Sequence, residues 1–133
     1  MALSGICLDT SAYSHFKRGD AAAIDVMSGA SAVYVPVVVL GELRIGFRLG
    51  TRAGANEREL AGFLSRDVVE VIDLDTDVAS IYADIVVDLR RAGTPIPTND
   101  IWIGASAVRM GVSVLTYDAH FEKMRRVSVH RLG

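Results

Sequence analysis

The chain has 133 residues, of which 50% are hydrophobic and 23% are charged, and this composition predicts one domain with a buried core over residues 1–133 rather than a disordered chain. Its 14 basic and 16 acidic residues give a net charge of −2, which argues against a protein that coats nucleic acid through bulk positive charge but not against an enzyme that cuts it. The single cysteine, Cys7, excludes an intramolecular disulfide and a Cys-rich zinc site, and its apolar surroundings predict that it is buried.

Short apolar runs alternate along the chain with segments of helical periodicity. In chain order these patterns predict a strand at 6–9, helices at 10–18 and 21–28, a strand at 33–35, helices at 37–49 and 55–64, a buried strand at 68–72, helices at 76–91 and 98–110, a strand at 112–115, a short helix at 120–125 and a strand at 127–129. We expect Thr10 and Ser11 to cap the first of these helices, Thr98 to cap the helix that begins there, and Gly111 to end it.

Alternation of this kind predicts an α/β fold, with a central parallel sheet of about four to five strands and helices on both faces. Ligands of such sheets bind beyond the carboxyl ends of the strands. Asp9 ends the first predicted strand and Asp118 follows the strand at 112–115, so both are expected at this edge. Asp100, in the first turn of a helix, is placed to approach the same edge, and Glu42 lies among apolar residues of another helix.

A cluster of these acids requires compensation, because two carboxylates about 4 Å apart repel by roughly 4 kcal/mol at an effective dielectric constant of 20. The acids then either bind protons or bind a hard cation. A set of oxygen ligands suits Mg²⁺ or Mn²⁺, which promote phosphodiester hydrolysis. The pattern alone leaves a second interpretation open, in which each acid is a solvated surface charge and Asp100 merely favours the helix dipole.

Four segments in order, ICLDTSAY, VVVLGELRIG, TPIPTNDIWIGASAVRMG and VLTYDAHFEKM, resemble the motifs of PIN-domain ribonucleases, and in particular of the VapC-type toxins of toxin–antitoxin pairs. The resemblance extends from Ile6 to Val129. In this resemblance Asp9, Glu42, Asp100 and Asp118 match the family's acidic quartet, which implies a metal-binding and catalytic role for them.

Three polar residues match positions that support the acids in this family. Ser11 and Thr116 match hydroxyl positions that hold the site by hydrogen bonds, and Asn99 matches the polar residue that precedes the third acid. The resemblance implies a three-layer α/β/α sandwich and Mg²⁺- or Mn²⁺-dependent endonucleolytic cleavage of RNA by a metal-activated water. It also implies a type II toxin that forms a homodimer and is inhibited by a VapB-like antitoxin.

Basic residues in two regions are candidate RNA contacts. Arg44, Arg48 and Arg52 recur every four positions after Glu42, a spacing that places them on one helix face, and the C-terminal segment carries a second basic patch. From these regions we select four possible RNA contacts, Arg44, Arg48, Arg125 and Arg126. A solvated helix face explains the first region equally well.

Several other residues are expected to have structural roles. The acids of the D-x-D-x-D run at 73–77 are expected to cap the helix that follows them. Trp102 is expected to pack against protein rather than stack on a base, and Gly104 to allow a neighbour to approach closely. The scattered histidines His15, His120 and His130 have no partner at ligand spacing in the sequence and are expected to be surface or hydrogen-bonded side chains.

Two other functional classes remain as alternatives. A non-enzymatic phosphoacceptor signalling domain needs a pair of acids after its first strand and a late lysine after a strand, whereas here Asp9 is single and no lysine follows the strand at 112–115. Another metal-dependent phosphatase would act on a phosphate monoester. The first residues show no basic leader before an apolar run, and the longest uncharged stretch is too short for a bilayer, so we expect a cytoplasmic protein with no membrane partner.

Overall fold

The computed structural model describes residues 5–133, so the first four residues of the predicted domain lie outside it. Five parallel strands form one sheet in the order β3-β2-β1-β4-β5. The strands are β1 (Ile6–Leu8), β2 (Val33–Pro36), β3 (Val69–Ile72), β4 (Ser113–Thr116) and β5 (Val129–Arg131). The two strands that precede the acids Asp9 and Asp118, β1 and β4, are therefore neighbours.

Helices flank this sheet, which confirms the predicted α/β/α class with its central parallel sheet. They are α1 (Thr10–Lys17), α2 (Ala21–Gly29), α3 (Val37–Leu49), α4 (Ala53–Leu64), α5 (Thr76–Ala92) and α6 (Thr98–Met110), followed by a 3₁₀ helix at Ala119–Lys123. Among residues 5–133, no helix is both long enough and apolar enough to cross a membrane.

The central strands form because their apolar side chains are covered on both faces of the sheet. All of β1 is buried, and Val114 and Leu115 of β4 have no exposed surface. Burying one such side chain contributes about 1.5–3 kcal/mol. The core therefore fixes the ends of β1 and β4, and with them the positions at which the chain turns into Asp9 and Asp118.

Several predicted structural roles are confirmed. Cys7 is fully buried, and Trp102 stacks on Tyr82 with ring centroids 3.7 Å apart. Asp75 caps α5 by accepting a hydrogen bond from the Val78 N–H at 2.9 Å. Gly111 ends α6 with a φ of 70°, a left-handed conformation that glycine adopts without steric cost.

Other details of the prediction are wrong, namely the burial of one strand and the residues that cap two helices. The strand predicted as buried at 68–72 is β3 at the sheet edge, where Glu70 and Val71 are exposed. The residue that caps α1 is Asp9 rather than Thr10 or Ser11, and α6 begins after Pro97 with Thr98 already inside the helix.

The C-terminal elements are also displaced from their predicted positions. The short helix at 120–125 is the 3₁₀ helix ending at Lys123, and the last strand begins at Val129, the residue at which pairing with β4 starts. Arg52 lies beyond the end of α3 at Leu49, so it does not extend the row of arginines on that helix.

Gly104 in α6 is predicted to allow close packing, and the structure confirms this role. A Cβ atom at this position would lie 2.9 Å from the side chain of Met124 and 3.0 Å from Cγ2 of Val127, whereas one at the exposed Gly62 of α4 would contact nothing within 4 Å.

We therefore expect Gly104→Ala and Gly62→Ala to change stability in opposite directions. Gly62→Ala should raise the free energy of unfolding by about 0.5–1 kcal/mol through helix propensity, and Gly104→Ala should lower it by about 1–3 kcal/mol through overpacking. Urea unfolding of both variants measures the difference. A gain in stability for Gly104→Ala would show that the core at this point is loosely packed.

Candidate active site

Asp9 lies at the carboxyl end of β1 and is only 4% exposed. Its carboxylate accepts a hydrogen bond from the Ala12 N–H at 2.8 Å, from the Ser11 hydroxyl at 2.8 and 2.9 Å, and from the Thr116 hydroxyl at 2.5 Å. A buried carboxylate with several donors is held in one orientation and keeps a defined set of lone pairs for a further partner.

The same two hydroxyl groups fix the segment that follows β4. The Ser11 Oγ accepts from the Tyr117 N–H at 3.1 Å, and the Thr116 Oγ1 accepts from the Asp118 N–H at 2.8 Å. Each hydroxyl therefore donates to Asp9 and accepts from the chain at 117–118. This network sets the position of Asp118 relative to Asp9.

A second part of the site combines two acids and a histidine. Ligand atoms of Asp100, Asp118 and His120 all lie within 4.8 Å of one another. The Nδ1 atom of His120 is 3.2 Å from Oδ1 of Asp118 and 3.6 Å from Oδ2 of Asp100. Asp100 reaches the cluster from the first turn of α6, and its side chain is 17% exposed.

Glu42 projects from α3 and is held by the Thr10 hydroxyl, which donates to its Oε1 at 2.6 Å. Its negative charge is one of the causes that raise the pKa of Asp100. The structure thus brings all four predicted acids to the carboxyl end of β1 and β4.

Burial and mutual repulsion make this cluster unfavourable without a cation. Burial, followed by the charges of Asp118 and Glu42, raises the pKa of Asp100 to about 6. Burial also raises the pKa of Asp9, although its hydrogen bonds from Thr116, Ala12 and Ser11 act in the opposite direction. The four acids offer carboxylate oxygens, which fit a hard divalent cation.

The model of the PIN domain family matches residues 6–127 of this chain. The chain belongs to the PIN domain family. The match covers almost the whole chain and includes all four acids of the candidate site. The five-stranded parallel sheet with flanking helices is the PIN-like architecture.

Curated relatives of this PIN domain include two proteins of Mycobacterium tuberculosis. Ribonuclease VapC4 is 37% identical over 95 residues, which cover 71% of this chain and 73% of that protein. Ribonuclease VapC5 is 30% identical over 114 residues, which cover 86% of this chain and 83% of that protein.

Solved structures with the same fold include toxin–antitoxin proteins. A VapBC-5 structure from Mycobacterium tuberculosis, described as a member of the VapBC family of toxin–antitoxin systems, superimposes with a TM-score of 0.73 and 28% identity over 97% of this chain and 98% of that chain. VapBC2 from Rickettsia felis, bound to a DNA fragment from its promoter, superimposes with a TM-score of 0.85 at 18% identity over 97% and 99% of the two chains, a likeness that concerns the fold.

The remaining predicted site residues do not hydrogen-bond to the four acids within the described residues 5–133. Asn99 is exposed in the first turn of α6, outside the hydrogen-bond network around Asp9. Arg44 pairs with Glu57 at 3.0 Å, and the exposed Arg48 donates to the Arg44 carbonyl at 3.3 Å.

The C-terminal arginines line a groove beside α5. Arg126 binds Asp88 through its Nε at 2.6 Å, and both residues line an open groove together with Arg125 and Arg91. Arg126 also lies 3.9 Å from a second carboxylate, that of Asp84.

His120 is an exposed side chain, as expected of a surface histidine, but its place beside two of the acids was not predicted from the sequence. The chain turns into the 3₁₀ helix directly after Asp118, and the His120 N–H donates to Oδ1 of Asp118 at 2.9 Å. This turn folds the imidazole back over the carboxylate. The signal available in the sequence was the position of His120 two residues after an acid at a strand end.

We expect Asp100→Asn to stabilise the protein in the absence of divalent ions. Because folding raises the pKa of Asp100 from 3.8 to about 6, its charge costs nothing where the carboxyl is protonated in both states, below about pH 3.8. The cost grows as the pH rises and is complete above about pH 6, where it reaches at most about 3 kcal/mol. The variant should therefore gain stability at neutral pH and progressively less as the pH falls through this window.

Urea unfolding in EDTA as a function of pH measures this difference. Asp73→Asn, at an exposed acid outside the site, is the matched control and should stay within about 0.5 kcal/mol of the unmodified protein. An Asp100→Asn gain that does not depend on pH would contradict the electrostatic explanation.

Proposed function

We propose that this protein is a metal-dependent endoribonuclease and the toxin of a type II toxin–antitoxin pair. The observation that carries the proposal is the convergence of four acids at the carboxyl end of β1 and β4 in a chain that belongs to the PIN domain family. Its similarity to proteins named Ribonuclease VapC supports RNA as the substrate.

We propose Mg²⁺, or alternatively Mn²⁺, as the cofactor, held by the quartet Asp9, Glu42, Asp100 and Asp118. A divalent ion supplies, when bound, an activated water and positive charge opposite the scissile phosphate. The protein's own contribution is preorganisation. Ser11 and Thr116 fix the Asp9 carboxylate, and Thr10 fixes that of Glu42, so the ligands need not be reoriented when RNA binds.

The negative charge of the acids also means that an RNA phosphate needs a bound cation in order to enter the site. The cluster of carboxylates would repel an RNA phosphate, which is itself an anion, and a divalent ion held there would offset part of this negative charge and present a positive centre to the phosphate. We infer that metal binding and RNA binding at this site are coupled for this reason.

We propose that the backbone of the RNA is contacted by the arginines selected from the sequence. Arg125 and Arg126 lie on a groove that Arg91 also lines, and the chain joins them to Asp118 through the 3₁₀ helix. Since Arg44 and Arg126 already bind carboxylates, a phosphate at either position would compete with an existing ion pair. Ion pairs at exposed positions contribute about 0–1 kcal/mol, so this competition is inexpensive.

We propose a VapB-like antitoxin as the protein partner, supported by the likeness to the VapBC-5 structure at 28% identity. That the protein forms a homodimer and lies in the cytoplasm are predictions from the sequence. We also infer that the chain forms a single PIN domain, because all five strands belong to one sheet.

We expect Asp9→Asn to abolish RNA cleavage while the fold is retained. The amide keeps the shape of the side chain but removes the charge that the cation needs, so the rate should fall by at least about 100-fold. Cleavage of a labelled RNA with Mg²⁺ measures the loss, and circular dichroism checks the fold. Asp73→Asn is again the matched control and should cleave normally.

The same assay separates this function from the alternatives. Hydrolysis of a generic phosphate monoester by the unmodified protein, without cleavage of RNA, would indicate a phosphatase. Full RNA cleavage by Asp9→Asn would contradict the assignment of the site.

We expect Thr116→Val to impair cleavage more than Thr116→Ser. Valine removes the hydroxyl that donates to Asp9 and accepts from the Asp118 N–H, whereas serine keeps it. Loss of a group that orients a metal ligand typically lowers activity about 10–100-fold. Steady-state cleavage rates of the two variants measure the difference, and equal rates would show that the hydroxyl is not needed to position Asp9.

A further inference from the structure

We propose that His120 is a nitrogen ligand of the divalent ion, beside Asp100 and Asp118, and that the resulting mixed site prefers Mn²⁺ to Mg²⁺. The inference deepens the proposed function and rests on it, since it takes the two acids to be metal ligands. It changes the ligand set from carboxylate oxygens alone to oxygens and one imidazole.

The distances around His120 are those between neighbouring ligands of one ion. Ligands about 2.1 Å from a metal lie about 3.0 Å apart at octahedral angles and about 3.4 Å apart at tetrahedral angles. The Nδ1 atom of His120 lies 3.2 Å from Oδ1 of Asp118 and 3.6 Å from Oδ2 of Asp100. A small adjustment of the rings and carboxylates therefore places one ion in contact with all three side chains.

Backbone contacts hold the residue that carries this imidazole. Asp118 caps the 3₁₀ helix by accepting from the His120 N–H at 2.9 Å, and the next residue, Phe121, is fully buried. The cap and the buried neighbour fix the backbone of His120, from which the ring reaches both carboxylates. The Nδ1 atom, which is nearer to the backbone than Nε2, faces the two carboxylates.

The nitrogen ligand sets the metal preference. Carboxylate and water ligands suit both Mg²⁺ and Mn²⁺, whereas imidazole suits transition metals. Mg²⁺ also keeps its waters tightly and binds few protein ligands. Exchanging one water for His120 therefore favours Mn²⁺ over Mg²⁺.

A second interpretation of the same distances makes the opposite prediction. A protonated His120 would be a counter-charge that offsets the repulsion between Asp100 and Asp118 and competes with an incoming cation. Removing a ligand weakens metal binding, whereas removing a competing positive charge strengthens it. The sign of the change in affinity therefore separates the two roles.

The test is a titration of the full chain with Mn²⁺ alone at slightly alkaline pH. Binding is measured as the loss of the electron paramagnetic resonance signal of free Mn²⁺, and competition with Mg²⁺ gives the affinity for the second ion. We expect His120→Ala to weaken Mn²⁺ binding by about tenfold or more and to weaken Mg²⁺ binding less, so that the preference for Mn²⁺ falls. His130→Ala, which removes an imidazole from β5, is the matched control and should change neither affinity.

Pulsed electron paramagnetic resonance of Mn²⁺ bound to the unmodified protein gives a second readout that does not need the variant to fold. We expect nitrogen coupling from an imidazole, and its loss in His120→Ala. Absence of nitrogen coupling, tighter Mn²⁺ binding by His120→Ala, or no Mn²⁺ binding by the unmodified protein would each overturn the proposal. Nitrogen-coupled Mn²⁺ in a protein that cleaves no RNA would instead contradict the proposed function and leave this ligand assignment standing.

Discussion

The hydrogen bonds around the buried carboxylate of Asp9 are the constraint on which the site depends. Two hydroxyls, from Ser11 and Thr116, donate to Asp9 and accept from the backbone at 117–118. They join the carboxyl end of β1 to the carboxyl end of β4, where the apolar strands are followed by the polar residues of the site. Without them the buried carboxylate would keep only the hydrogen bond from the Ala12 N–H, and a buried charge with so few partners is costly in a medium of low dielectric constant.

The repulsion within the acidic cluster explains the charge balance of the whole chain. Without the four proposed ligands, 14 basic residues face 12 acidic ones, a balance of +2. The acidity that argues against a nucleic-acid partner is thus concentrated in one site, where burial raises the pKa of Asp100. The fold tolerates this repulsion because its stability comes from the buried apolar strands that precede the acids and not from the acids themselves.

Local patterns predicted most helices and strands because apolar periodicity depends on neighbours along the chain. The helix at 76–91 differs from α5 by one residue for this reason. The burial of one strand was predicted wrongly, because burial depends on the order of strands in the sheet. The β-branched run at 68–72 has the same local pattern whether the strand is central or at an edge. In the structure this strand pairs with β2 on one side only, and Glu70 and Val71 are exposed.

The sequence by itself determined the class of fold, the four acids and their place at the ends of strands, because each follows from residue type and local spacing. The tertiary structure alone decided what surrounds them. It joined Thr116 to Asp9 and Thr10 to Glu42, and it brought Asp100 beside Asp118 and His120. These contacts depend on how β1, β4, α3 and α6 meet at one edge of the sheet, and distances across the fold do not follow from local spacing.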